Sequence, residues 1–395
     1  MSTIQEAIQR VQTAAAADTT NDPAAQAKLL KEISLLRDAA ETPEDRLMRL
    51  RFHYLENLCN RIALELGVLQ AIAARKDASI SAADLAKTTG ADEVFIVRIM
   101  RLVTYARVVD EVGPGTYKGN ATTKLITSPG GRGGELHHTD LGMAVGSKLI
   151  EMIRKGKLVQ FPEREGEVSP FEYTFGHPIF EFFQHDREQK EAFDDYMAVR
   201  RSVTGPQWFE TYPAREELGK SELKTGEDAA LVVDVGGGIG HEVAKFRESH
   251  MDLPGRLVLE DLPQTFEKAA APEGIEVIHH DFFKEQPVKG ARIYYLRQVM
   301  HDWSDKKCQQ ILSQIVKAMD PTYSRVLIDD YILPDTGADR RAAALDFLMF
   351  MFASGMERST QQWHALLSSV GLEIVKIWPA KAGLEGVIEA RVKSG

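Results

Sequence analysis

A mostly apolar run that opens into a glycine-rich loop places the strongest constraint on the fold of this chain. The run, Leu231–Val235, leads directly into Gly236, Gly238 and Gly240. Such a run is typical of a strand that is buried on both faces of a parallel sheet. Glycine adopts positive φ easily and lets the backbone come close to a ligand. The pattern therefore predicts an α/β sheet with a ligand site at its carboxyl edge, next to the N-terminus of the following helix.

Further short apolar runs alternate with amphipathic stretches as far as the C-terminus. They are RLVLE from Arg256, IEVI from Ile275, ARIYYL from Ala291, SRVLIDDYIL from Ser324, LEIVKIW from Leu372 and GVIEARV from Gly386. This alternation predicts a mostly parallel sheet that is covered by helices. We assign residues 226–395 to the domain that contains this sheet and the predicted ligand site, and we expect it to be the catalytic domain.

The N-terminal part of the chain has helical patterns. A helix is predicted from Phe52 to Ala73, because leucine and isoleucine recur there at helical spacing. Two shorter helices follow, and then two short strands around Gly113-Pro114-Gly115. This order of elements is typical of a winged helix, so residues 1–125 are predicted to form a winged-helix-like dimerisation domain. Residues 126–225 are predicted to form connecting helices and a substrate lid. They combine a glycine-rich loop, at Gly130, Gly131, Gly133 and Gly134, with aromatic-rich helical stretches.

Composition limits the partners and the compartment. The formal net charge of -10 argues against nucleic acid as the main partner, because phosphates are bound through excess Lys and Arg. Cys59 and Cys308 are the only cysteines, which fits a reducing compartment. The longest apolar stretch, Phe347–Met356, is about half the length of a membrane span, and the polar N-terminus lacks signal-peptide character. We therefore expect a cytoplasmic protein that neither binds nucleic acid nor inserts into membranes.

One alternative uses the winged helix for DNA binding. It needs a basic recognition helix, and the segment 91–109 does contain Arg98, Arg101 and Arg107. The same segment also has acidic and many apolar residues, which favours a packing helix.

The spacing of the loop selects among cofactors. A dinucleotide fingerprint would need glycine at position 241, which holds His241, and the Lys-Ser/Thr pair of a triphosphate loop is missing. The G-x-G-x-G form is associated with S-adenosylmethionine. Asp261 ends the second strand, where a carboxylate can accept ribose hydroxyls. Asp281 and Phe282 end the third strand, where they can meet the amino group and the face of an adenine.

The motifs VDVGGGIG, LEDLP, HHDFF and YYLRQVMHDWSDKKC resemble those of the plant caffeic-acid-type and fungal secondary-metabolite O-methyltransferases. The resemblance extends from about residue 45 to the C-terminus. It implies a class I, Rossmann-like methyltransferase fold, S-adenosylmethionine as cofactor, and a homodimer formed through the N-terminal domain. Arg297 stands where many relatives have lysine. The predicted cofactor-binding residues are Asp234, Gly236, Gly238, Gly240, Asp261, Leu262, Asp281, Phe282 and Arg297.

His301 is the predicted catalytic base, since it follows the fourth strand. An imidazole with a pKa near 6.5 can take the proton of a phenol, which titrates near pH 10. The resemblance implies two flanking glutamates; Glu357 matches, whereas Asp330 is one methylene shorter. If the strand register differs by one residue, Asp329 takes the place of Asp330 beside the histidine. We expect Asp302 to have a structural role. No metal is expected, because the adjacent Asp329 and Asp330 face opposite ways on a strand.

The acceptor is expected to be a small aromatic molecule with a hydroxyl group. Methionine and aromatic side chains suit a flat apolar ligand. The predicted pocket residues are Met300, Trp303, Phe180, Met197, Phe350 and His138. A second alternative is an O-methyltransferase-like pericyclase, in which His137 or His138, with Arg201, would polarise a carbonyl group. Histidine at position 301 favours methyl transfer.

Overall fold

The computed structural model divides the chain into two compact units. The first contains residues 1–154 and 174–204, and the second contains residues 155–173 and 205–395. The predicted connecting segment, 126–225, is thus shared between the two units. The structure describes residues 3–17, 22–158, 168–203, 207–266, 272–379 and 386–393.

The first unit is mainly helical. Its leading elements are α1 (Ile4–Ala15), α2 (Pro23–Ala40), α3 (Pro43–Glu65), α4 (Val68–Ala74), β1 (Ile80–Ser81), α5 (Ala82–Thr89), α6 (Glu93–Tyr105), β2 (Val109–Gly113) and β3 (Thr116–Gly119). Then come α7 (Ala121–Ile126), α8 (Pro129–Glu135), a π-helix (Leu136–Met143), α9 (Ala144–Arg154), α10 (Pro170–Phe175, across the boundary between units), α11 (Ile179–His185) and α12 (Arg187–Val203).

The prediction of one helix from Phe52 to Ala73 is wrong in its bounds. The helix begins at Pro43, after the side chain of Thr42 has capped it by accepting a hydrogen bond from Asp45 N. It ends before Gly67, whose φ of 73° belongs to the left-handed region and separates α3 from α4.

The predicted hairpin is confirmed. Strands β2 and β3 pair antiparallel, and β1 pairs with the other edge of β3 to give the order β1-β3-β2. Leu69, Leu85 and Met100 from the surrounding helices are fully buried beneath this small sheet and its helices. The assignment to the winged-helix class stays a prediction.

The glycine-rich stretch that the sequence suggested as a loop is helical instead. Gly130 and Gly133 lie in α8, where a Cβ on Gly133 would collide with the carbonyl oxygen of Ala192 in α12. A Cβ on Gly130 would likewise collide with the side chain of Val199. These glycines are therefore needed because α8 and α12 pack backbone to backbone, which leaves no room for side chains.

The second unit contains the large sheet. Its elements are α13 (Trp208–Thr211), α14 (Ala214–Leu218), β4 (Ala230–Val235), α15 (His241–Ser249), β5 (Arg256–Asp261), β6 (Glu276–His279), β7 (Ile293–Arg297), α16 (Asp305–Ala318), β8 (Arg325–Asp330), β9 (Ile332–Leu333), α17 (Arg340–Ala353), β10 (Arg358–Ser359), α18 (Thr360–Ser369), β11 (Leu372–Trp378) and β12 (Gly386–Val392).

The seven-stranded sheet has the order β11-β12-β8-β7-β4-β5-β6. Strands β4 to β8 are parallel, while β12 runs antiparallel to both β8 and β11. The prediction of a mostly parallel α/β sheet is confirmed. From β4 the chain first builds outward through β5 and β6, and then returns to place β7 on the other side. The carboxyl ends of β4 and β7 therefore form a topological switch point, where ligands of such sheets bind.

Two surface properties bear on the remaining predictions. Along α2 and α3, eight large apolar side chains are 40% exposed or more, namely Leu30, Ile33, Leu35, Leu47, Met48, Leu50, Phe52 and Tyr54. Exposed apolar groups of this kind are common at protein interfaces, and the homodimer stays a prediction.

Among the described residues, every helix is too short or too polar to cross a bilayer. The compartment also stays a prediction.

Candidate active site

The glycine loop after β4 has the backbone that the sequence suggested. Gly236, Gly238 and Gly240 have φ values of 71°, 62° and 83°. The amides of Gly236 and Gly237 donate to the carbonyl oxygen of Glu260 at 2.8 and 3.2 Å, which ties the loop to β5. A Cβ on Gly238 would meet no atom within 4 Å. The loop is thus a firmly held backbone with open space at Gly238, as a ligand cradle requires.

Asp261 closes one side of this cradle at the end of β5. Its Oδ2 accepts from the amide of Gly238 at 2.8 Å, and its Oδ1 accepts from the amide of Leu262 and the hydroxyl of Thr265, both at 2.7 Å. The carboxylate is therefore held in one orientation against the loop. Leu262 beside it is 47% exposed.

Asp234 lies beneath the loop, almost completely buried at the end of β4. Burial raises the pKa of Asp234 to about 8, and the nearby carboxylates of Glu242 and Asp261 add to the increase. Its Oδ2 has no hydrogen-bond partner among the residues that the structure describes. Asp234 is therefore largely protonated at neutral pH, and its carboxyl group can donate a hydrogen bond.

Arg297 ends β7 and is held by two carboxylates. Its Nη1 contacts Glu242 Oε1 at 2.8 Å, and its Nε lies 3.3 Å from Asp329 Oδ2. Tyr295 donates its hydroxyl to the same Asp329 oxygen at 2.7 Å. Because Glu242 belongs to the first turn of α15, this network connects β7 and β8 with the helix that follows the glycine loop.

Asp281 and Phe282 follow β6 at the same edge of the sheet. Asp281 Oδ1 accepts from the amide of Phe283 at 3.0 Å, which fixes the turn. A Cβ on Gly236 would lie 3.4 Å from Phe282 Cε1, so the phenyl ring borders the glycine loop. The ring of Trp303 is 6.1 Å from that of Phe282. The strand ends thus gather an aromatic wall and several carboxylates around one loop.

His301 lies in a short 3-10 turn, Met300–Asp302, directly after β7. Gln298 links β7 to this turn, and its φ of 51° is uncommon for a residue other than glycine. Such backbone conformations are often found at functional sites. The side chain of His301 is 7% exposed, and its Nδ1 lies 2.8 Å from Glu357 Oε1. The predicted base and the predicted Glu357 are therefore hydrogen-bonded to each other.

The two aspartates at the end of β8 point to opposite faces, as alternation along a strand requires. Asp329 contacts Tyr295 and Arg297, whereas Asp330 faces His301. The alternative that placed Asp329 beside the base is wrong. Asp330 Oδ1 is 4.0 Å from His301 Nδ1, too far for a hydrogen bond. The shorter aspartate thus leaves Glu357 as the direct partner of the ring.

Asp330 is completely buried, and neither carboxyl oxygen has a hydrogen-bond partner in the described part of the chain. Burial raises the pKa of Asp330 well above its usual value. The positive charge of His301 opposes this increase, while Glu357 and Asp329 strengthen it. Burial therefore favours the protonated form of Asp330.

The electrostatics of His301 result from opposing effects. Burial lowers its pKa, but the combined action of nearby carboxylates outweighs burial and raises the pKa to about 10. Asp302 makes the largest contribution of this sign, followed by the hydrogen bond that Glu357 accepts from the ring. The carboxylate of Asp302 lies 3.6 Å from Nε2 of the ring. Asp302 therefore raises the pKa of His301 through its charge, whereas we expected it to have only a structural role.

The turn that carries His301 is also held by Arg358, whose side chain is fully buried. Its Nη1 donates to the carbonyl of Met300 at 3.0 Å, and its Nη2 donates to the carbonyl of Trp303 at 2.8 Å. Its Nε donates to Asp305 at 2.8 Å, and its guanidinium lies 5.3 Å from the ring centre of Trp363. One arginine therefore fixes both ends of the His301 turn.

The residues before Arg358 complete this contact. The amide of Met356 donates to the carbonyl of His301 at 2.8 Å, and the amide of Glu357 donates to Asp346 Oδ1 at 2.8 Å. A Cβ on Gly355 would collide with the carbonyl oxygen of His301, so only glycine allows this approach. We call residues 355–358 the clamp segment.

The predicted pocket residues are distributed over both units. In the second unit, Trp303 packs edge-on to Phe283, and Phe350 contacts Phe347, which is 54% exposed. Met300 lies in the sheet core with no exposed surface, so its predicted place in a pocket is not supported.

The other three predicted pocket residues belong to the first unit. Phe180 and Met197 lie on α11 and α12, and Phe180 is mostly exposed. His138 lies in the π-helix, and its Nε2 is 3.0 Å from the hydroxyl of Tyr196. His137, one residue earlier, is buried and packs near Phe193 and Tyr196. The side chain of Arg201 lies outside the described part of the structure.

Comparison with known proteins identifies the family. A family model described as an O-methyltransferase domain matches residues 157–373. Demethylsterigmatocystin 6-O-methyltransferase of Aspergillus parasiticus is 33% identical to this chain over 341 residues, which cover 85% of the chain and 86% of that protein. The chain belongs to the O-methyltransferase family. The resemblance that the motifs indicated, and the enzyme class that it implied, are confirmed.

Solved structures extend the comparison to the fold. LepI in complex with SAM matches this chain with a TM-score of 0.83 at 25% identity. A structure described as a pericyclic reaction enzyme matches with the same TM-score and identity. Both matches cover 98% of this chain and 100% of the solved chain. The predicted class I methyltransferase fold is confirmed.

Several residues at the methyltransferase site were not identified from the sequence. Gly355 and Arg358 act on His301 through backbone carbonyls, and such contacts leave no motif in a single sequence. The acidic effect of Asp302 depends on how the 3-10 turn folds. The sequence offered one weak signal, the position of Gly355 and Arg358 on either side of the candidate Glu357.

We predict that Arg358→Met destabilises the protein by about 3 kcal/mol. The change leaves the buried carbonyls of Met300 and Trp303 without their donor. Urea unfolding followed by circular dichroism measures the effect. Arg391→Met is the matched control, because Arg391 pairs with Glu373 at the surface and its loss should cost less than about 1 kcal/mol. Equal stability of the two variants would show that the clamp segment does not depend on Arg358.

Proposed function

We propose that the protein transfers a methyl group from S-adenosylmethionine to a hydroxyl group of a small phenolic molecule, with His301 as the general base. The observation that carries this proposal is the position of His301. It follows β7, the strand adjacent to β4 and its glycine loop, and its ring is hydrogen-bonded to Glu357. The relative from Aspergillus parasiticus is named for 6-O-methylation, which supports an oxygen acceptor.

S-adenosylmethionine fits the residues that the loop presents. When bound, it supplies a methyl group on a positively charged sulfur that leaves as a neutral thioether, so no metal is required. Gly238 offers open space beside a backbone held in the left-handed region. Asp261 and Asp281 would accept hydrogen bonds from hydroxyl and amino groups, and Phe282 would cover a flat base. LepI, which matches over almost the whole chain, has been solved with SAM.

The role of His301 follows from its charge environment. With a pKa near 10, its conjugate acid matches a phenol that titrates near 10, so proton transfer between them costs almost no free energy. Glu357 keeps Nδ1 protonated and turns Nε2 towards the acceptor. Asp302, which lies 3.6 Å from Nε2, stabilises the imidazolium that forms. The acceptor oxygen then attacks the methyl carbon in line.

A pericyclase is the second candidate, supported by the match to a pericyclic reaction enzyme. His137 and His138 lie in a π-helix, a rare form that is frequent at functional sites. In that reaction S-adenosylmethionine would stay intact. Both candidates use the cofactor site, but only methyl transfer needs a base at position 301.

We predict that His301→Ala lowers kcat by about two to four orders of magnitude, because the acceptor proton loses its base. The affinity for S-adenosylmethionine should stay within about threefold, which is less than 1 kcal/mol. The assay uses methyl-labelled S-adenosylmethionine and a panel of phenols, with mass spectrometry of the products.

Asp110→Asn, a change on the hairpin of the first unit, is the control for nonspecific loss of activity. Near wild-type turnover in His301→Ala would remove the base assignment. Conversion of a substrate without any gain of label would favour the pericyclase.

We predict different pH profiles for variants of the two carboxylates. In the wild type, kcat/KM should rise with pH towards about 10, since the neutral imidazole is the active form. Glu357→Gln removes a charge that stabilises the imidazolium, so the rising limb should move to lower pH. Asp330→Asn should move it less, because Asp330 lies 4.0 Å from Nδ1, whereas Glu357 also accepts the hydrogen bond of the ring. The measurement is kcat/KM between about pH 6 and pH 10.5 with one acceptor. A larger shift for Asp330→Asn would reverse the roles of the two residues.

We predict that Gly238→Val raises the dissociation constant for S-adenosylmethionine by about a hundredfold, or about 2.7 kcal/mol. The side chain would fill the open space of the loop at a φ of 62°. Isothermal titration calorimetry measures the affinity. Gly371→Val is the matched control, because Gly371 also has positive φ and open space but lies after α18. Unchanged affinity in Gly238→Val would place the cofactor elsewhere.

A further inference from the structure

Three metal-ligating side chains meet on the surface of the first unit. They are His177, Glu181 and His185, and one ligand atom of each lies within 4.8 Å of the ligand atoms of the other two. His177 Nδ1 is already 2.8 Å from Glu181 Oε1. The rings of His177 and His185 have their centres 5.2 Å apart. The group belongs to no step of methyl transfer as described above.

The helix beneath this group holds it in place. Ile179 and Phe183 on α11 are buried, and Phe183 stacks on Phe193 of α12 with ring centres 4.9 Å apart. Positions 181 and 185 lie about 200° around the helix from positions 179 and 183. The packing of one face therefore keeps the other face, with Glu181 and His185, directed towards solvent. His177 reaches the same place from the residues before the helix.

The distances suit a tetrahedral ion after small side-chain rotations. Zinc binds imidazole nitrogen at about 2.0–2.1 Å and carboxylate oxygen at about 2.0–2.2 Å, so neighbouring ligand atoms are about 3.4 Å apart. The observed spacing, 2.8 Å for one pair and at most 4.8 Å for the others, brackets this value. All three side chains are exposed, so such rotations meet little resistance. Water would occupy the fourth position.

We propose that His177, Glu181 and His185 form a binding site for a transition-metal dication, with zinc as the reference ion. The two imidazoles select zinc, nickel and copper over magnesium and calcium, which prefer sites made of oxygen alone. A bound ion would connect the chain before α11 to the last turn of that helix. It would thereby stabilise the loop at Gly176–Pro178.

The experiment is isothermal titration of the untagged, metal-stripped protein with zinc chloride, with magnesium chloride in a parallel run. We expect one zinc ion per chain, reversal by EDTA, and no binding of magnesium. His185→Gln and, separately, His177→Gln should weaken zinc binding by about tenfold or more. Loss of a residue that only hydrogen-bonds to a metal ligand already costs about tenfold, and loss of the ligand itself should cost at least as much. Circular dichroism without metal verifies that both variants are folded.

His53→Ala is the control, since half-buried His53 lies 3.5 Å from the carboxylate of Glu56 and is not part of the proposed group of three ligands. It should bind zinc as the wild type does. Failure of the wild type to bind zinc, or equal binding by His185→Gln, would overturn the proposal. The readout is metal binding alone, so its outcome is independent of methyl transfer.

Discussion

The contact between residues 355–358 and the turn after β7 holds the candidate active site together. That turn directs the carbonyl groups of Met300, His301 and Trp303 inward, where an unpaired acceptor would cost about 1–3 kcal/mol each. Arg358 and the amide of Met356 supply the missing donors. Because Glu357 lies between these two residues, the same contact brings its carboxylate to the imidazole. The same contact therefore positions His301 and provides hydrogen bonds for the backbone carbonyl groups of its turn.

Charge at this site is predominantly negative. Asp302, Asp330 and Glu357 surround one imidazole, while Asp234 and Asp261 lie at the glycine loop. Burial protonates the most enclosed of these groups, as the raised pKa values of Asp234 and Asp330 indicate. The remaining carboxylates favour cations. A sulfonium ligand and a protonated His301 would both carry the positive charge that such an environment stabilises.

The topology of the sheet explains why residues so far apart in sequence meet. Strands β4 and β7 are neighbours, but β5 and β6 lie between them in the chain. Because β4 and β7 are parallel, the glycine loop and the His301 turn both lie at the carboxyl edge of the sheet, where the strand order reverses. Arg297 reinforces this arrangement, since it connects β7 with Glu242 in the helix after the loop.

The sequence by itself determined the sheet, the glycine loop and the family to which the chain belongs. These features depend on local rules: apolar runs form buried strands, and glycine permits positive φ at Gly236 and Gly238. Only the tertiary structure decided that Asp330 falls short of the ring and that Asp302 approaches it. It also showed that Gly130 lies in a closely packed helix and that Met300 lies in the core. Such outcomes depend on distances between segments that are remote in sequence. Packing in three dimensions sets those distances to within an ångström, and residue patterns do not encode them.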